Sequence, residues 1–133
     1  MHWICLTVGL ALLGLSAGCG KEGQGDADRA SSIAQGRQVF LDNGCNLCHG
    51  PEGRGDGPLA RNLNPKPRDF SDLAAYKRGP GVEQIEETIE NGLCTDQGAT
   101  MPAFPIAPEN RRHLARYIVW SLQPKSGSAA AAR

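Results

Sequence analysis

Apolar side chains recur at three-and-four spacing in three stretches of this chain, and nowhere alternate in twos for long enough to suggest a strand. In IAQGRQVFLDN, Ile33, Gly36, Val39, Phe40 and Asn43 fall on one helical face, with Ser32 as N-cap and Gly44 as the stop. GVEQIEETIENG sets Val82, Ile85 and Ile89 on a stripe opposite glutamates and ends at Gly92. APENRRHLARYIVWSLQP starts with Pro108 at the first helical position. Its apolar face is Leu114, Tyr117, Ile118 and Leu122, and Pro124 closes it. A shorter helical turn is expected over Ser71–Tyr76, and Gly- and Pro-rich loops fill 50–69 and 93–107. The pattern predicts an all-α domain of three main helices, a short one and long loops. Long loops in so small a domain suggest that something is held between them.

The N-terminus does not read as part of that domain. Ile4 to Leu15 is an apolar run of twelve, too short to span a bilayer and typical of a signal-peptide hydrophobic region. The small residues Ser16, Ala17 and Gly18 and then Cys19 follow it, so residues 1–18 are expected to be a signal peptide. LSAGC resembles a bacterial lipobox, which implies that Cys19 receives a diacylglycerol and begins the mature chain. A soluble export signal cut nearby and an uncleaved anchor are the alternatives. Residues 19–31 are small and charged, with nothing large and apolar to bury, and are expected to form a flexible tether reaching roughly 20 Å. Residues 125–133 read as a disordered tail, leaving 32–124 as the folded unit.

Charge narrows the picture slightly. Fourteen basic and fourteen acidic side chains cancel, and no basic block of five appears, which argues against a nucleic-acid partner. Export implies an oxidising compartment, where unpaired thiols are unusual.

The chemistry concentrates in GCNLCHGPEGRGDGP, residues 44–58. Structural zinc needs four ligands, and the leftover candidates Cys94 and His113 are not paired. A redox disulfide of the thioredoxin kind needs a βαβ context that is missing. A phosphate loop would end in Gly-Lys-Ser/Thr, and this one does not. The complete unit Cys45-Asn46-Leu47-Cys48-His49 is the pattern of covalent haem attachment, in which one helical turn offers both sulfurs to the vinyl groups and His49 to the iron. A low-spin carrier then needs a second axial ligand, Met or His. Met101 is the one methionine after the signal, and Pro102 holds it extended. His113, among Glu109, Asn110, Arg111 and Arg112, reads as a surface residue.

These features resemble a class I mono-haem c-type cytochrome of bacteria, from about Ser32 to Pro124. Gly36 and Phe40, with Leu114 and Tyr117, resemble the family's crossing of terminal helices. Cys45, Cys48 and His49 resemble its attachment motif, and Met101-Pro102 its distal loop. The resemblance implies one covalent haem c with His49 and Met101 as axial ligands. It also implies that the Pro58 carbonyl accepts the His49 Nδ1 hydrogen, and that Phe40, Leu63, Ile89, Leu114 and Tyr117 bury the porphyrin. Arg68 and Lys66 are either propionate partners or solvated loop charges. Cys94 stands outside the family pattern and is expected to be a small buried residue, the alternative being a free thiol able to link two molecules. The implied function is one-electron transfer without catalysis, in an exported respiratory-type chain. The protein would be a monomer on the periplasmic side, lipid-anchored through Cys19, exchanging electrons with a reductase and an oxidase. A gas sensor or a peroxidase-like enzyme with a displaceable sixth ligand is the alternative.

Overall fold

The computed structural model describes residues 22–96 and 98–124. The expected signal peptide, Cys19 and the tail 125–133 lie outside the described residues. Four α-helices carry the fold: α1 (Glu22–Asp42), α2 (Cys45–His49), α3 (Val82–Asn91) and α4 (Pro108–Tyr117). Short 3₁₀ turns occupy Ala60–Asn62 and Leu73–Ala75, the second inside the expected Ser71–Tyr76 turn. α4 begins with Pro108 as expected and widens into a π turn over Ile118–Leu122, where the Gln123 amide reaches back to the Ile118 carbonyl at 3.0 Å.

α1 and α4 cross, and Gly36 marks the point of contact. A Cβ on Gly36 would lie 2.6 Å from both the His113 carbonyl carbon and the Tyr117 Cβ, so only a bare backbone lets the helices approach this closely. Behind the crossing, Phe40 and Tyr117 meet edge to face with centroids 5.6 Å apart. Phe40, Leu114 and Ala115 are all but inaccessible to solvent, and Ile85 and Ile89 bring the apolar stripe of α3 against the same core.

Three expectations are corrected. Residues 22–31, expected as flexible tether, are the first half of α1. The side chains of residues 23–31 are exposed, but local and tertiary contacts hold the segment: Gln24 donates to Asp28 at 3.0 Å, and the Arg29 guanidinium lies 4.8 Å over the Trp120 ring. Ser32 is accordingly no N-cap. It is buried inside α1, with its hydroxyl 2.8 Å from His113 Nδ1. Finally, a strand pair exists where none was expected: β1 (Leu93–Thr95) and β2 (Gly98–Met101) are antiparallel, with Leu93 opposite Met101 and a register shift after Leu93. Segments this short leave no readable alternation. β1 follows α3 at once, and the two strands pair because the chain reverses between Thr95 and Gly98.

Candidate functional site

The attachment motif is built by two glycine devices. Gly44, with φ +68°, stops α1 and lets the chain start a new helical turn at once, so that Cys45–His49 forms α2. The Gly-rich loop then folds back along this turn. The Gly55 amide donates to the His49 carbonyl at 2.8 Å, Gly57 to Cys48 at 3.2 Å and Leu59 to Leu47 at 2.9 Å. The open carbonyls at the end of α2 are thereby satisfied. A Cβ on Gly57 would come within 2.6 Å of the Asn46 carbonyl oxygen, so the loop lies against α2 only because glycine stands there.

His49 is fixed from the other side by the segment after Pro67. Its Nδ1 lies 3.1 Å from the Arg68 carbonyl oxygen, which can only accept, so Nδ1 carries the hydrogen and Nε2 keeps its lone pair. Phe70 stacks on the imidazole at 4.5 Å and 22°, and its own amide donates to the Gly53 carbonyl at 2.7 Å. Burial lowers the His49 pKa, the Arg68 carbonyl pulls it back up and the Arg68 charge lowers it again, leaving the ring biased to the neutral, ligand-competent form. The expectation for Pro58 is overturned. Its carbonyl accepts from Arg61 Nε at 3.4 Å, because the turn back along α2 leaves Pro58 exposed while residues 67–70 run beneath the ring.

Cys45, Cys48, His49 and Met101 all line one cavity of about 690 Å³, within the range of roughly 300–1,000 Å³ usual for cofactor clefts. Phe40, Leu63, Ile85, Ile89, Leu114 and Ile118 make its wall predominantly apolar. Tyr117, expected in that wall, stands behind it against Phe40. Burial pushes the Cys45 thiol up to about 11, so it is held protonated. Cys45, Cys48 and Cys94 are not disulfide-bonded among the described residues.

Arg68 and Lys66 both border the cavity. Arg68 is the more confined: its guanidinium lies 4.7 Å over the Tyr76 ring, its Nη1 is buried with no partner among the described residues, and burial lowers its pKa while Tyr76 and Asp72 raise it. A buried cationic donor without a partner calls for an acceptor in the cavity, ideally an anion. Cys94 is exposed rather than buried, since β1 lies at the surface. His113 is half-buried in the helix crossing and does not line the cavity. No group of three or more His, Cys, Asp or Glu side chains able to hold a metal exists among the described residues, which leaves no zinc-type site there.

Sequence reasoning missed Phe70 and Tyr76, the two aromatic partners of His49 and Arg68. Phe70 sits in a loop with no periodicity and Tyr76 at the end of the expected short turn, and the only signal was large aromatic side chains in or beside a segment rich in Pro and charge. A family model described as Cytochrome c matches residues 33–121. No curated protein matches the chain.

Proposed function

The chain belongs to the cytochrome c family, whose members carry covalent haem c and transfer electrons, and from that premise we propose that it is a one-electron carrier with His49 and Met101 as axial ligands. The observation that carries the reading is the single apolar cavity shared by Cys45, Cys48, His49 and Met101. Cys45 and Cys48 would form the two thioethers, and Arg68 would hold a propionate, which supplies the acceptor its buried Nη1 lacks. When bound, haem supplies reversible storage of one electron at its iron.

The residues of this chain do the rest. The Arg68 carbonyl and the Phe70 ring hold the His49 imidazole in one tautomer and one orientation, so Nε2 points its lone pair without rearrangement. A methionine at the sixth position favours the ferrous state relative to a second histidine. The apolar wall adds to this, because it penalises the extra positive charge of the ferric state. Were His49 and Met101 both to hold the group, small molecules would be kept off it. Leu47, 44% exposed between the two cysteines, leaves an apolar spot at the surface for a transient protein partner, a contact at the small end of interface sizes.

The chain would work outside the cytoplasm as a monomer. The apolar run 4–15 followed by Ser-Ala-Gly-Cys supports export and acylation of Cys19, which lies three residues before the start of α1. A diacylglycerol with an added acyl chain supplies enough methylenes for stable anchoring. Encounters with a membrane-bound reductase and oxidase would then gain from high effective concentration.

The ferric protein is expected to show the weak near-infrared methionine-to-iron band, and Met101→Ala is expected to abolish it and lower the potential. A band that survives in Met101→Ala would falsify the ligation; an open sixth position in the native protein would favour gas binding or peroxidase chemistry instead. Intact mass of the membrane fraction tests the anchor, for which a mature N-terminus other than Cys19, or no acyl mass, is the refuting result.

A further inference from the structure

The segment that presents Met101 is pinned at both ends by arginines of the same design. At its start, Arg78 Nη1 donates to the Gly92 carbonyl at 2.9 Å, while Arg78 Nε meets Glu87 of α3 at 3.2 Å. At its end, Arg111 Nη1 donates to the Ile106 carbonyl at 3.2 Å, while Arg111 Nη2 meets Glu90 of α3 at 3.1 Å. Each guanidinium thus joins one loop carbonyl to one carboxylate, and both carboxylates stand on α3. Between the two clamps the loop touches α3 once more, where the Phe104 amide donates to the Ile89 carbonyl at 2.9 Å. Arg111 is the more buried of the pair: its side chain is 14% exposed against 32% for Arg78.

We infer that Arg78 and Arg111 are positioning residues that hold the 92–106 segment against α3 and so keep Met101 at the cavity, setting how readily the distal ligand is displaced. Neither side chain need touch the iron. A carbonyl held by a charged donor resists leaving more strongly than one held by a neutral group. Two such holds at the ends of one segment limit how far Met101 can move while both are made, so a wider release of the segment breaks a charged hydrogen bond. The inference rests on Met101 being the sixth ligand.

Arg112 supplies an internal control. It pairs with Glu86 of α3 through two hydrogen bonds of 3.0 and 3.1 Å, so it too ties α4 to α3, but it holds no loop carbonyl among the described residues. The test is imidazole titration of the ferric, haem-loaded protein, read as loss of the near-infrared methionine band. Arg111→Gln and Arg78→Gln should each raise the apparent imidazole affinity about tenfold, the effect of losing one charged hydrogen bond from the closed state. Arg111→Lys should recover part of the difference, and Arg112→Gln should titrate like the native protein. If Arg111→Gln does not load haem, Glu90→Gln gives the same reading, because it removes the carboxylate that aims the guanidinium. Affinities in the Arg78 and Arg111 variants no higher than in Arg112→Gln overturn the inference, as does a change confined to one of the two arginines. Absence of the band in the native protein overturns Met101 ligation itself and the inference with it, an outcome distinguishable from the others before any variant is made.

Discussion

Gly36 offers a test in which the ordinary sign of a substitution should reverse. In a helix interior, alanine is normally more stable than glycine by about 0.5–1 kcal/mol, because it restricts the unfolded backbone. At Gly36 the added methyl would sit 2.6 Å from the Tyr117 Cβ and the His113 carbonyl carbon, well inside ordinary van der Waals contact. The obstacles are a backbone and a Cβ atom, so no rotamer change clears them and the α1–α4 crossing has to open. Overpacking of this kind costs about 1–3 kcal/mol. With rigid obstacles the upper end applies, and after subtracting the helix-propensity gain the expected loss is roughly 2 kcal/mol. For a domain of this size that corresponds to a fall in Tm of roughly 8–16 °C. Gly25→Ala is the matched control, in the same helix with nothing within 4 Å of the added methyl. It should be stabilising by about 0.5–1 kcal/mol. Guanidinium and thermal unfolding of the haem-loaded proteins, followed by far-ultraviolet circular dichroism with m values compared, would read both. A Gly36→Ala protein that melts at or above the native temperature, as Gly25→Ala should, would refute the account of the crossing.

Replacing Cys45 and Cys48 together by serine should remove covalent haem, so that denatured mass falls by one haem, whereas Cys94→Ser should load haem normally because that thiol is exposed and away from the cavity lining. Phe70→Ala should cost about 3 kcal/mol or more, as for other large-to-small core changes, since the ring is buried on His49 and against Gly53; the guanidinium midpoint of the loaded protein measures it. Gly92→Ala should weaken or abolish the methionine band while leaving the thioether-linked haem in place. Gly92 has φ +69°, and a Cβ there would come 2.6 Å from the Met101 carbonyl oxygen and 2.8 Å from the Ala103 amide nitrogen, so the strain falls on the ligand segment. An unchanged near-infrared spectrum in Gly92→Ala would count against that coupling.

Much of this protein is local, and local features survive in the sequence. Helix periodicity, the stops at Gly44 and Gly92 and the start at Pro108 each depend on residues within a turn or two, and each stands where the pattern puts it. The Cys45–His49 unit is likewise local: one turn fixes the relation of two sulfurs and an imidazole, so its chemistry is legible without a fold. What the fold decides is which distant groups meet. Nothing near His49 in the chain selects the Arg68 carbonyl over that of Pro58; the choice follows from the Gly-rich loop lying back on α2, which turns Pro58 outward and carries residues 67–70 beneath the ring. The helical first half of α1 is similar. Residues 22–31 have too little apolar surface to fold on local grounds, and the Arg29–Trp120 contact that helps hold them joins the two ends of the domain. The Arg111 clamp joins α4 to Glu90 of α3, so it too exists only once those helices are packed. Spacing along a chain can point to candidate ligands, because ligation depends on residue type. The strength with which the protein holds them depends on carbonyls and charges brought together from elsewhere, and only tertiary packing supplies those.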